Sequence, residues 1–237
     1  MKNGIKSCVA LPPALHSAAV ALLCAGVLLL GGCHSSANHA QTFNSFVQGL
    51  LNHAHARQNA PRHAAAMFDV ANPDAQRAAI AWMARQSFGY QPVFLKAYQL
   101  DAAAPSPLVR GEALLALGGS GAPAVAPTLI KGLSDPVRFV RMCAAIALTR
   151  IHAPAAIPAL LQHLRHDPDA QVRVYCAIAL KQYATRSVQR ALIVALNDRN
   201  VAVARIAWDD LIAQTGRRLP AHAQPWRQWL QTKSASP

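Results

Sequence analysis

Asp135-Pro136-Val137-Arg138-Phe139-Val140-Arg141-Met142-Cys143-Ala144-Ala145-Ile146-Ala147-Leu148 returns 32 residues later as Asp167-Pro168-Asp169-Ala170-Gln171-Val172-Arg173-Val174-Tyr175-Cys176-Ala177-Ile178-Ala179-Leu180. After 31 more residues Asp198-Arg199 opens a third unit, with the proline lost. The same columns recur inside the units. Val109-Arg110, Val140-Arg141 and Val172-Arg173 hold one place, and Leu117, Leu148 and Leu180 follow seven residues after each Arg. A second apolar set comes next: Leu129, Ile130 and Leu133; Leu160, Leu161 and Leu164; Leu192, Ile193 and Leu196. Each set has the i, i+1, i+4 spacing of one buried helix face. Self-similarity at this period marks a stacked array.

Each unit therefore reads as two helices, A and B. Helix A begins after Asp-Pro, where Asp is expected to cap free backbone N–H groups and Pro is tolerated in the first turn. Gly118-Gly119-Ser120-Gly121, His152-Ala153-Pro154 and Ala184-Thr185 mark the breaks between A and B. Neither helix buries its apolar stripe alone, so stacked pairs must share a core. A degenerate earlier unit runs from Asn72-Pro73 to about Leu100, with Ile80, Trp82 and Met83 in A and Val93, Phe94 and Tyr98 in B. The last unit, Asp198 to Thr215, has helix A only, and a short helix near Trp226 to Gln231 is expected to seal the open end. An amphipathic helix is expected from Thr42 to Arg57, followed by a polar segment rich in His and Ala to about His63. The predicted fold is all-α: a short solenoid of helix pairs over 64–237, with an N-terminal helix before it and a Trp-containing cap after it.

Composition agrees with a packed array. Of the 237 residues 53% are hydrophobic and 14% charged, too apolar a mixture for intrinsic disorder. Only one segment is continuously apolar, which argues against a multi-pass membrane protein. That segment, about Ala18 to Leu30, follows Lys2 and Lys6 and is shorter than a spanning helix needs. The pattern reads as a secretory signal. Leu30-Gly31-Gly32-Cys33 resembles the lipobox of bacterial lipoproteins. That resemblance implies cleavage before Cys33, with a signal peptide over 1–32 and diacylglycerol on the Cys33 thiol. The stretch 33–63 is then the lipidated cysteine, a tether and the N-terminal helix. A lipidated cysteine anchors a domain to a membrane without spanning it. The expected address is the bacterial cell envelope, facing the periplasm. His34, rather than Asp, after the cysteine favours the outer membrane by the enteric rule.

The repeat columns resemble HEAT repeats, in particular the short bacterial type first associated with phycobilisome lyases. Asp135-Pro136…Val140-Arg141…Ala144…Leu148 and Asp167-Pro168…Val172-Arg173…Ala177…Leu180 carry the resemblance, which covers about Asn72 to Leu230. Thr215-Gly216…Pro225-Trp226…Trp229 also looks like the end of some bacterial HEAT-repeat proteins. In such families the Arg column pairs with helix-capping Asp of neighbouring units. The resemblance thus implies an internal ladder of Arg110, Arg141 and Arg173 with Asp135 and Asp167, in preference to a basic ladder for an acidic ligand. It also implies that helix B lines the binding groove, which nominates Lys131, Gln162, His163 and Arg190 as the partner-contacting positions.

The chemistry-bearing residues otherwise read as structural. His34, His39, His53, His55 and His63 crowd the N-terminal region, and His163 and His166 lie three apart. No carboxylate or cysteine completes the four-ligand set of a structural zinc site, so no metal or other cofactor is expected. Cys143 and Cys176 fall one column out of register, which favours two buried free thiols over a disulfide. No Walker, G-x-S-x-G or G-x-G-x-x-G pattern is present, and no enzyme activity is expected.

Three functions remain. A membrane-anchored scaffold that binds another envelope protein is preferred. A polyanion binder follows from the net charge of +13, because a cationic surplus attracts anionic ligands. Lipopolysaccharide fits that reading better than nucleic acid, since the signal removes the chain from the nucleoid. A bilin-lyase-like enzyme ranks last.

Overall fold

A computed structural model of the chain describes residues 56–232. The signal segment, Cys33 and the tether lie outside them, as does the helix expected over Thr42–Arg57 apart from its last two residues. The chain divides into two compact units, Met1–Asp69 and Val70–Pro237. Within the first unit the described helix is α1 (Ala56–Ala66), which contains Pro61 and spans the end of the helix expected to Arg57, the polar His- and Ala-rich segment to His63 and the first residues assigned to the solenoid.

The second unit is a solenoid of ten α-helices in stacked pairs, with no strand among the described residues. Its A helices are α2 (Pro73–Met83), α4 (Pro107–Gly119), α6 (Arg138–Leu148), α8 (Ala170–Leu180) and α10 (Val201–Thr215). Its B helices are α3 (Pro92–Asp101), α5 (Ala126–Gly132), α7 (Ile157–His166) and α9 (Arg186–Ala195), and α11 (Ala223–Thr232) closes the chain. Short 3-10 turns at Pro123–Val125 and Pro154–Ala156 lead into α5 and α7. Pro in the first turn of a helix costs nothing, because the N–H it lacks has no intrahelical acceptor there.

The Asp of Asp-Pro does not cap helix A. Asp135 accepts from the Val137 N–H at 2.8 Å, and Asp167 accepts from the Asp169 N–H at 3.0 Å. Each carboxylate folds the turn two residues ahead of it. The caps proper are Asp169, which accepts from Gln171 and Val172, and Asn200, which accepts from Ala202 and Val203. The capping expectation misplaced the role by two positions, because an Asp bound both to its own turn and to a neighbouring Arg has no oxygen aimed at the first helical turn.

The A helices stack in one continuous row, α2 on α4, α4 on α6, α6 on α8 and α8 on α10. Val109, Val140, Val172 and Val203 are all buried in this row. Leu129, Leu160 and Leu192 are fully buried beneath the B helices, and Phe94 nearly so. Burying such a side chain contributes about 2 kcal/mol relative to exposure, so stacking rather than helix propensity holds the array. α4 and α6 approach closely: a Cβ on Gly118 would lie 2.6 Å from Ala147 Cα. At the other end Gly216 closes α10 in the left-handed region, at φ 69°, where glycine carries no Cβ penalty. α11 packs on α9, the last B helix, with Trp226 fully buried and its indole N–H bonded to Pro220 O.

Candidate partner-binding face

Two groups among the cations of the solenoid bear on its function. The first is internal. Arg110 Nε and Nη2 donate to the two carboxylate oxygens of Asp135 at 2.8 and 3.0 Å. Arg141 binds Asp167 in the same fork at 2.8 and 3.1 Å, and Arg173 binds Asp198 at 2.8 Å through both nitrogens. In each rung the third guanidinium nitrogen, Nη1, turns back to two backbone carbonyls: Ala104 and Pro105, Asp135 and Pro136, or Asp167 and Pro168. A planar head with five donors suits this double duty, whereas the three donors of Lys radiate from one atom and cannot fork onto the carboxylate while reaching both carbonyls.

Burial alone would raise the pKa of each Asp, but the Arg hydrogen bonds and the backbone N–H outweigh it. Asp135, Asp167 and Asp198 therefore titrate below the ordinary carboxylate value. The hydrogen bonds to Asp167 and Asp198 in turn raise Arg141 and Arg173. The middle rung is the most crowded: His163 Nδ1 also lies 2.9 Å from Asp167 Oδ2.

The ladder is longer than the sequence columns indicated. Asp198 is the acceptor of the third rung. A further rung precedes the first, where Gln76 takes the Arg place on α2 and its Nε2 donates to Asp101 Oδ1 at 3.0 Å. The signal that finds it is the offset: 25 residues separate Gln76 from Asp101, as they separate Arg110 from Asp135 and Arg173 from Asp198. An amide cannot fill both carboxylate oxygens, and Asp101 Oδ2 is buried without a hydrogen-bond partner. Burial, only partly offset by Gln76, pushes Asp101 up to about 6. At the far end Ala204 stands in the Arg column of α10, and the ladder stops.

The second population faces outward on the B helices. Lys131, Gln162 and Arg190 are exposed. His163 is not with them: its side chain is 15% exposed and engaged with the ladder. One residue of α7 thus turns toward the solvent face and its neighbour toward the rung, as the ~100° step of a helix requires. Lys96 on α3 and Arg165 on α7 are also exposed and were missed, Lys96 because its unit is degenerate although it shares the column of Lys131 and Gln162, and Arg165 because it occupies another column. On the helical wheel Lys96, Lys131 and Gln162 lie about 200° from the buried Phe94, Leu129 and Leu160, and Arg165 and Arg190 lie within about 60° of that direction. They form one strip. Between α7 and α9 this strip borders a cleft of about 210 Å³ lined by Leu164, Arg165, Ala191, Val194, Ala195, Asn197 and Asp198.

Cys143 and Cys176 are buried free thiols. Burial, with Glu112 adding to it, pushes Cys143 up to about 12, and burial pushes Cys176 up as well. Neither has the character of a nucleophile. Among the described residues no group of three or more His, Cys, Asp or Glu side chains could hold a metal ion. Among the same residues no helix is long and apolar enough to cross a membrane.

Paired helices, a nearest-neighbour ladder and an outward B row define the class: an all-helical HEAT-repeat solenoid. Residues 97–173 match the family model described as HEAT repeats. Such repeats generally serve as scaffolds for protein–protein interaction. Among solved structures the chain resembles YibA of Escherichia coli, with 16% identity and a TM-score of 0.51 over 87% of this chain and 95% of that one. At that identity the likeness speaks for the fold alone. No curated protein matches the chain.

Proposed function

We propose that the protein is a scaffold of the bacterial cell envelope, anchored through a lipid on Cys33 and facing the periplasm, with the outer membrane favoured. It binds another envelope protein along the exposed B-helix strip and performs no catalysis. The observation that carries this reading is the division of the cations. Those of the A helices at Arg110, Arg141 and Arg173 are consumed by the ladder. Lys131 and Arg190 lie in no ion pair among the described residues and point outward beside Gln162. A repeat array needs no such outward row for its own stability, since each unit is held by its neighbours. The motif Leu30-Gly31-Gly32-Cys33 supports the address.

In-cell crosslinking followed by capture of the anchored protein tests the scaffold. One envelope protein recovered at both low and high salt is expected. Radiolabelled palmitate incorporated by the natural chain and absent from Cys33→Ala tests the anchor. The cationic strip also favours a second reading, a polyanion binder for lipopolysaccharide. In that case only lipopolysaccharide is recovered, and it is lost at high salt.

A further inference from the structure

We propose that the exposed B-helix strip binds an extended, acidic polypeptide segment of the partner, a reading that rests on the scaffold function above. The five B-row helices, α11 included, contain Lys96, Lys131, Arg165, Arg186, Arg190 and Arg227. Against them stands one acid, Asp101, which is turned inward to Gln76. Of the six cations only Arg186 has a hydrogen-bond partner among the described residues, Leu230 O at 3.0 Å. The other five are exposed. The acids are elsewhere: Asp135, Asp167 and Asp198 are committed to ladder arginines, Asp169 pairs with Arg138, and Asp209 pairs with Arg205. Rows of like charge without counter-charges raise the local concentration of an oppositely charged partner.

The chain cannot supply this occupant itself. No Asp or Glu precedes Asp69, and none follows Asp210. Either flanking segment would bring positive charge to a positive strip, and a second copy would approach it with a net charge of +13.

The side chains between the cations select the class of anion. Gln99, Gln162 and Asn197 are exposed on the same row of helices. An amide offers both a donor and an acceptor, which matches a peptide backbone. A phosphodiester or a lipid A phosphate offers acceptors only. Of the exposed positions on α3, α5, α7 and α9 only His166 carries an aromatic ring, and sequence-tolerant binding of single-stranded nucleic acid relies on stacking of successive bases on several such rings. The exposed large aliphatics of these helices are Val93 and Leu100 on α3 and Val194 on α9, too few and too far apart along the row for acyl chains. Successive packed helices lie ~10 Å apart. The path from Lys96 on α3 to Arg190 on α9 is then roughly 30 Å, or about nine residues of extended chain at ~3.4 Å each.

The test uses the full chain in detergent and a fluorescein-labelled peptide of alternating Glu and Gly, about ten residues long to match that span. Anisotropy is read at two salt concentrations, with a dT oligonucleotide and lipopolysaccharide micelles as competing probes. Binding of the peptide is expected to weaken about tenfold or more in the triple variant Lys131→Gln, Arg165→Gln, Arg190→Gln, on the scale of removing three cations from a charged contact. The control triple Arg150→Gln, Arg217→Gln, Arg218→Gln removes the same charge from exposed positions off the strip and is expected to change binding less than about twofold. Equal losses in both triples would overturn the proposal in favour of a diffuse field. Tighter binding of the oligonucleotide or the micelles than of the peptide would overturn it in favour of another ligand class. If crosslinking captures an envelope protein whose contact is indifferent to the first triple, the scaffold stands and the acidic segment falls. If no protein is captured, the scaffold itself falls.

Discussion

Gln76 donates to Asp101 across the same 25-residue offset that joins Arg110 to Asp135. The first rung of the ladder is thus built with a neutral donor where the next three use a guanidinium. One oxygen of Asp101 is left buried and unpartnered, and the carboxyl is pushed up to about 6.

Gln76→Arg completes that rung. A hydrogen bond to a charged group contributes about 1 kcal/mol more than a neutral one. The variant is expected to gain about that much stability at pH 7, which is a rise of a few degrees in Tm. Thermal unfolding followed by circular dichroism measures it. The rise should persist at pH 4 and vanish only below the ordinary carboxylate range, because an arginine partner lowers Asp101 as Arg110 lowers Asp135.

Asp167 is the most loaded acceptor, serving Arg141, His163 and the Asp169 N–H. Asp167→Ala strands a guanidinium whose side chain is only 12% exposed. Breaking a buried pair from one side costs about 3–5 kcal/mol. Urea unfolding at pH 7 should show a loss of that order. The loss should shrink in acid. The folded pKa of Asp167 lies below its unfolded value, so its stabilisation is present above the unfolded pKa and disappears as pH falls through the folded one.

Asp210 behaves oppositely. Burial raises its pKa from 3.8 to about 7; Lys181, 4.0 Å away, pulls it down and Asp209 pushes it up. Between those values the folded state keeps a proton that the unfolded chain has released. Stability therefore falls as pH rises through that window. Asp210→Asn is expected to flatten this slope and to be more stable than the natural chain at pH 8, as read by urea midpoints across pH 4–8. An unchanged slope would mean that Asp210 is ionised throughout.

Gly118 sits where α4 meets α6. Gly118→Ala drives a methyl group to within 2.6 Å of Ala147 Cα and Cβ. Both are rigid parts of the helix, so α4 and α6 must separate. Overpacking of this kind costs about 1–3 kcal/mol. Loss of Tm in Gly118→Ala, and partial recovery in the double variant Gly118→Ala, Ala147→Gly, checks that assignment.

Much of this architecture was legible because the repeats write it several times. The Val-Arg column and the Leu triplets each name a buried face, and the structure places Val109, Val140 and Val172 in one row and Leu129, Leu160 and Leu192 in another. What the columns hid were departures from them. Gln76 does not look like Arg, and Asp101 comes without the proline of Asp135-Pro136, so the first rung was visible only as an offset. The N-caps were misread because Asp135 and Asp167 sit close to the helix start in sequence while their oxygens are spent on a turn and on a neighbour. His163 was placed on the outer strip with Gln162 because their order along the chain does not reveal that one helical step separates solvent from the ladder. Lys96 was overlooked because it lies in the degenerate first unit, although it repeats the column of Lys131, and Arg165 because it falls in a different column of the B face.

Every rung binds one repeat to the next and to nothing further away. Opening is therefore expected to proceed like a zipper with two free tabs. The Gln76 rung at one end is the weakest, and the last A helix, with Ala204 in the Arg column, has none beyond it. The α6–α8 pair, gripped by Arg141 and Arg173 and set against the tight Gly118 seam, should be the last to surrender its amide protons. A ligand lying along the strip from α3 to α9 would bind both tabs to that centre, and its first measurable effect would be slower fraying of the ends.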